Sequence, residues 1–415
     1  MAILCFIPEK YKELGTLHFA QTGYVNNLAA LPKEELCAIM KPNPLKELEQ
    51  LGQSIWLDYI RRDLIQNGEL KRLIEEDGLC GMTSNPSIFE KAILESHVYD
   101  EAIRAQALEG KDAKEIFEAL SLQDVQSAAD VFRPVYDKTN GRDGFVSLEV
   151  NPHLAHDTDG TIREARRLWA SLDRPNVFIK VPAADEGLPA IRQLISEGIN
   201  VNVTLLFGLP RYRQVIEAYL AGVEDRVAQG KPTNTVASVA SFFVSRMDTL
   251  VDPLLEKLAQ QGAKAELAKK LLGQVAVANS KAAYQIYKAT FAGERFRKLA
   301  QHGARVQRLL WASTSTKNPQ YIDVKYVDEL IGPDTINTVP LNTLGAYRDH
   351  GDPQVRIEQG VDQAYWVLQQ LPELGINIDQ VTQQLEDEGG EKFAEPFDKL
   401  MDTLGKMLPA HAVST

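Results

Sequence analysis

Short runs of apolar and β-branched residues recur along this chain, separated by longer stretches in which apolar positions return every three or four residues. The first pattern reads as buried strand and the second as amphipathic helix. Eight strands are predicted, at Ser54–Ile60, Leu79–Asn85, Gly144–Val150, Val177–Ala183, Asn200–Phe207, Val236–Val244, Gln307–Ser313 and Thr335–Pro340. Helical spacing runs through Leu64–Glu76, Ala113–Phe132, Ile162–Leu172, Leu188–Glu197 and Leu209–Val227, and the connection Asp248–Arg305 has room for two or three helices. Strands that alternate with helices predict a parallel sheet, and eight of them close on themselves, so the fold class is α/β, a (β/α)8 TIM barrel with extra helices. The barrel is expected over residues 44–408. An irregular head, residues 1–43, ends in Lys41-Pro42-Asn43-Pro44 and is read as an N-terminal extension. After Pro340 the chain, with its acidic stretch Gln384–Glu391, is expected to be helical and packed on the surface, and 409–415 is a C-terminal tail.

One residue breaks the apolar pattern. Lys180 stands inside Asn176-Val177-Phe178-Ile179-Lys180-Val181-Pro182-Ala183, which otherwise reads as a strand covered on both faces. An ammonium taken out of water is costly, so burial favours the free amine, and a free amine can attack a ketone to form a Schiff base. The competing reading is a strand-end lysine that snorkels to water or pairs with a carboxylate. The other strands decide between them. In a strand, residues two apart share a face, so Asn202 with Thr204, Thr83 with Asn85 and Ser147 with Glu149 point together. Each of seven successive strands carries a polar group near its C-terminal end: Asp58, Asn85, Glu149, Lys180, Thr204, Ser241 with Arg246, and Ser313. That end of a parallel barrel is where active sites form, and convergent polar groups there mark Lys180 as functional.

Composition limits the partners. The chain has 415 residues, 44% hydrophobic and 25% charged, which is ample for a core. Its 45 Lys and Arg against 57 Asp and Glu give a net charge of −12 with no basic block, which argues against broad nucleic-acid binding. An anionic substrate must therefore find local cations. No stretch approaches the length of uncharged apolar residues needed to span a membrane, and Ile3-Leu4-Cys5-Phe6-Ile7-Pro8 is too short for a signal sequence, so a cytoplasmic location is expected. Cys5, Cys37 and Cys80 are far apart and odd in number, and are read as free thiols.

Three segments carry a family likeness: Gly81-Met82-Thr83-Ser84-Asn85-Pro86-Ser87, then Ile179-Lys180-Val181-Pro182-Ala183-Ala184-Asp185-Glu186-Gly187, then Gly198-Ile199-Asn200-Val201-Asn202-Val203-Thr204-Leu205-Leu206-Phe207. With these in this order the chain resembles the transaldolases, class I Schiff-base aldolases of the pentose phosphate pathway, from about Asn43 to at least Asp349. The segment Trp311-Ala312-Ser313-Thr314-Ser315-Thr316-Lys317-Asn318-Pro319 is similar to the longer bacterial-type branch. There are departures: Ala184 stands where better-known members often have Ser or Thr, and Ser315 where they can have an arginine.

The resemblance implies transfer of a dihydroxyacetone unit from sedoheptulose 7-phosphate to glyceraldehyde 3-phosphate, giving erythrose 4-phosphate and fructose 6-phosphate. It needs no cofactor or metal, and the chain is expected to act as a monomer or homodimer. Lys180 would be the nucleophile, Glu149 the acid/base acting through a water that Thr204 orients, and Asp58 the base that deprotonates the C4 hydroxyl. Glu149 could instead bridge to an arginine, and Asp58 could pair with Lys180. Asn85, Asn202 and Ser241 would bind substrate hydroxyls, or else satisfy groups inside the barrel. Arg246 and Ser313 would hold the phosphate, with Lys317 replacing the missing arginine, unless it is an ordinary loop lysine. Phe243 would wall the pocket or simply pack in the core.

Three rivals fare worse. A metal-dependent aldolase would need more ligands than His153 and His156. A pyridoxal-phosphate barrel would not explain the Asn202-Val203-Thr204 strand and would need a glycine-rich phosphate cup. A barrel used only as scaffold would be expected to lack Lys180, Glu149 or Asp58, and all three are present.

Overall fold

A computed structural model describes residues 43–260 and 262–408. The head before Asn43, the tail 409–415, Cys5 and Cys37 lie outside the described residues. Eight parallel strands form a closed barrel in chain order, with the last paired to the first: β1 Gln53–Asp58, β2 Gly81–Thr83, β3 Phe145–Glu149, β4 Val177–Pro182, β5 Val201–Leu206, β6 Ser238–Phe243, β7 Arg308–Ala312 and β8 Thr335–Val339. All eight predicted strands are present, each ending one or two residues short of its predicted C-terminal limit. The largest trimming is in the second, where Asn85 leaves the strand to accept a hydrogen bond from the Ile88 amide and cap the helix Pro86–Leu94.

The helices differ more. The predicted Leu64–Glu76 is two, Arg62–Gln66 and Glu69–Asp77, split where Gly68 takes φ 83°. Between β6 and β7 there are four helices among the described residues rather than two or three: Ser245–Ala259, Ala265–Leu271, Val275–Phe291 and Glu294–Gln301. Pro253 sits inside the first of these, and this helix turn continues through it.

The barrel interior is layered. At its N-terminal end Arg308 meets Asp143 and Ser54. Above them Trp56, Phe145 and Phe178 pack as an aromatic layer, with the Phe145 and Phe178 rings stacked at 4.3 Å. Trp56 needs Gly81 opposite it, because a Cβ there would lie 2.5 Å from the indole. A polar layer follows, in which Asn202 donates to Ser147 at 3.1 Å and accepts from Ser241 at 2.6 Å. The C-terminal layer holds Asp58, Thr83, Thr338, Glu149 and Lys180. Beyond the aromatic layer, polarity therefore rises toward the end where the loops converge.

The C-terminal region corrects the expectation of simple surface packing. Its last helix, Ile378–Met407, buries Phe393, Phe397, Leu400 and Leu404. One end rests on the loop after β5, where Gly389 lies against Leu205 and Phe207 and Thr382 against Gly208. Farther along, Asp398 meets His153 beyond β3 at 2.7 Å, and Lys399 meets Glu90 of the helix after β2 at 2.5 Å. The helix thus crosses the C-terminal face of the barrel.

Candidate active site

Lys180 is 4% exposed. Its ammonium donates to the Ser84 carbonyl at 3.0 Å and to Glu149 Oε2 at 3.1 Å, the latter made possible by the register that sets Glu149 opposite Lys180 on β3 and β4. The carboxylate partner of Lys180 is therefore Glu149, neither an arginine for Glu149 nor Asp58 for the lysine. Burial pushes the Glu149 carboxyl above its ordinary range, opposed by the nearby Lys180 charge and hydrogen bond. A raised carboxyl beside an amine can accept its proton across one hydrogen bond.

Asp58, at the end of β1, accepts from Thr83 Oγ1 at 2.7 Å, and Thr83 bonds in turn to Thr338 at 2.8 Å. Burial raises Asp58 as well, against the lowering effects of Thr83, Lys180, Lys317 and Arg246. Two carboxylates thus flank the lysine, each made more basic by its surroundings.

Thr204 is fully buried and its hydroxyl has no hydrogen-bond partner among the described residues. It precedes a register shift in β5, where Leu205 adopts φ 58°, unusual for a bulky side chain. Asn202 and Ser241 are buried and bonded to one another, and Asn202 also donates to Ser147, so the alternative reading of internal satisfaction describes them in part. Asn85 is half-buried, with its carbonyl oxygen committed to the helix cap.

A second cluster lies at the ends of β6 and β7. Arg246 is half-buried at the start of the helix Ser245–Ala259, and its Nη1 is buried without a partner among the described residues. Burial draws its guanidinium below the ordinary value, while Glu388 and Asp58 oppose that. Ser313, with φ 54°, sits 3.0 Å from the Ser245 hydroxyl. Lys317 is exposed, and its ammonium donates to the Ser315 hydroxyl at 2.6 Å. Partial enclosure and then the Arg246 charge draw it down, with Asp58 opposing. Phe243 packs on Phe207 at 5.2 Å while Arg246 lies 5.4 Å over its ring, so it is buried between an aromatic neighbour and a cation.

Two residues at the centre escaped the sequence reading. Ser84 acts through a backbone carbonyl, which no side-chain pattern announces. Phe393 comes from a helix more than two hundred residues after Lys180, yet its ring lies 5.6 Å from the Lys180 ammonium and 6.0 Å from the Arg246 guanidinium. The two histidines of the metal rival part company: His153 meets Asp398 and His156 meets Glu186 at 3.1 Å. Among the described residues no three His, Cys, Asp or Glu side chains are grouped to hold a metal ion.

The sequence has counterparts. A profile of the family described as Transaldolase/Fructose-6-phosphate aldolase matches residues 55–404. The chain is 50% identical over 371 residues to a protein named Transaldolase 2 from Nostoc sp. (strain PCC 7120), covering 88% of this chain and 97% of that one. It is 46% identical over 370 residues to a Transaldolase from Thermobifida fusca, covering 89% and 99%. A Transaldolase from Thiobacillus denitrificans is 46% identical over 363 residues, covering 88% and 100%. By the extent of these matches, the chain belongs to the transaldolase/fructose-6-phosphate aldolase family.

Proposed function

We propose that Lys180 is the Schiff-base nucleophile through which this chain, a transaldolase of the pentose phosphate pathway, moves a dihydroxyacetone unit from sedoheptulose 7-phosphate to glyceraldehyde 3-phosphate. The observation that carries the assignment is a buried lysine in 3.1 Å contact with a buried carboxylate of raised basicity. A proton passing from Nζ to Glu149 leaves a neutral amine, which adds to the ketose carbonyl. Glu149 then returns the proton to the carbinolamine hydroxyl, water departs, and an iminium remains. The unpartnered Thr204 hydroxyl suits it to hold that water.

Asp58 takes the proton from the C4 hydroxyl; the C3–C4 bonding electrons flow into the iminium, and erythrose 4-phosphate leaves an enamine behind. The enamine attacks glyceraldehyde 3-phosphate, and hydrolysis releases fructose 6-phosphate and the lysine. Asn85, Asn202 and Ser241 would bind sugar hydroxyls as neutral groups, Phe243 would wall the three-carbon unit, and Arg246 and Ser313 would hold the phosphate. The Lys317 ammonium, bonded to Ser315, would supply the charge that the family's arginine gives. We infer a cytoplasmic setting from phosphorylated substrates and from the lack of any helix among the described residues long and apolar enough to cross a membrane.

Turnover by Lys180→Met tests the assignment. Methionine fills a similar volume, so the circular dichroism spectrum should be retained while kcat/KM falls by more than about a thousandfold. Turnover near the wild-type rate would overturn it.

A further inference from the structure

Lys180 Nζ is contacted from several directions. The Ser84 carbonyl and Glu149 accept hydrogen bonds from it, and the face of Phe393 lies 5.6 Å away. The same ring is 6.0 Å from the Arg246 guanidinium and 6.5 Å from the Phe243 ring. Phe393 is thus set between the nucleophile and the candidate phosphate anchor, and at 5% exposure it is itself shielded from water. It is held there by its helix: Gly389 lies so close to Leu205 that a Cβ would come within 3.2 Å of its side chain, and four residues beyond Phe393, Phe397 packs edge-on to Phe117 at 5.6 Å. A ring anchored on both sides is a fixed feature of the mouth.

The chemistry at Nζ gives such a ring something to do. The nitrogen is positive as ammonium, neutral as free amine and carbinolamine, positive again as iminium, and neutral in the enamine formed by carbon–carbon cleavage. An aromatic face attracts a cation and is indifferent to a neutral group, and its effect grows where water is excluded. We propose that Phe393 is a substrate-contacting site residue that stabilises the iminium on Lys180, raising its share among the covalent states and lining the passage along which the sugar chain runs from Lys180 to Arg246. No added reactant is needed: the ring shifts an equilibrium in which the carbinolamine gains a proton and loses water, as in the reaction above. The inference rests on Lys180 being the Schiff-base residue.

Fluorination tests it without altering shape much. Replacing Phe393 by mono-, di- and trifluorinated phenylalanines drains the ring's negative face stepwise while the packing stays nearly constant. Borohydride trapping with fructose 6-phosphate, followed by peptide mass spectrometry, should show the fraction reduced at Lys180 falling step by step, by about three- to tenfold at the highest substitution. Phe393→Leu should show a comparable fall, and the inhibition constant of inorganic phosphate competing at Arg246 should change much less than the trapped fraction. An equal trapped fraction across the fluorinated series would overturn the proposal while leaving Lys180 as nucleophile. Failure to trap Lys180 in the wild type would overturn the Schiff-base reading itself.

Discussion

Two buried ion pairs occupy opposite ends of this barrel, and both span 3.1 Å: Arg308 with Asp143 at the N-terminal end, Lys180 with Glu149 at the C-terminal end. Their burial is alike, with side chains 7% and 6% exposed in the first and both 5% in the second. What separates them is saturation. Asp143 also accepts from Ser54 at 2.8 Å and from the Trp56 indole at 3.1 Å, while Arg308 also donates to Ser54 and to the carbonyls of Arg142, Asp334 and Thr335. Around Lys180 and Glu149 the polar capacity is left open: the Thr204 hydroxyl and Arg246 Nη1 have no partner among the described residues. A buried charge with every hydrogen bond made is held in one state, whereas one with bonds to spare can change its protonation and its partner. The same pairwise geometry thus gives a saturated clamp at one end and, on the function proposed above, a reactive centre at the other.

Substitutions should separate the two ends. The largest effect after loss of the lysine is expected for Glu149→Gln, which keeps the shape but cannot shuttle a proton. Single-turnover Schiff-base formation should slow by about 10²–10⁴-fold. In the wild type, the acid limb of the pH–rate profile should lie above the ordinary carboxylate range, because burial raises Glu149. The variant should lose that limb; an unchanged rate and profile would show that the proton goes elsewhere.

Arg308→Met should do the reverse. Stranding Asp143 without its cation should lower unfolding stability by about 3–5 kcal/mol in a denaturant titration, with kcat of the folded enzyme retained. A loss of kcat without loss of stability would erase the distinction between the two ends.

Arg246→Ala should raise KM for phosphorylated sugars selectively, by about 2–4 kcal/mol in transition-state binding, while dihydroxyacetone transfer from unphosphorylated donors is little changed. Lys317→Ala should produce a smaller loss of the same kind. Equal weakening for both classes of donor would remove these residues from the phosphate site.

A third buried carboxylate refines the point about saturation. Asp248 accepts from the Ala276 amide at 2.7 Å and from Tyr326 at 2.8 Å, yet burial first, and neighbouring Asp252 second, push it up to about 6. Its folded value exceeds its unfolded one, so the folded state holds the proton more tightly. The associated stability is complete below about pH 4 and is lost as pH rises through about 6, a decline of about 3 kcal/mol. Asp248→Asn should flatten the stability curve between those limits, and a slope equal to wild type would place the titration on another group.

The barrel was largely legible because strands buried on both faces must be apolar throughout, so Lys180 stood out against Val177, Phe178, Ile179 and Val181. The polar residues at the strand ends could be placed on a common face by alternation alone. Pairing was not legible, since only the register of β3 with β4 brings Glu149 against Lys180. Helix counts after β6 failed because propensity does not reveal where a chain turns back: Pro253 continues a helix, while Leu272 to Gln274 end one. Phe393 was hidden in an acidic, surface-like stretch, and its role comes from where the last helix crosses the barrel.

The central claim is that the open end of the barrel makes Lys180 a nucleophile, and borohydride reduction in the presence of fructose 6-phosphate tests it most directly. Peptide mass spectrometry of the reduced protein should find a dihydroxyacetone-derived or hexose-derived adduct on Lys180, absent without borohydride and absent in Lys180→Met. An adduct on another lysine, or full turnover with no adduct that can be trapped, would contradict the account.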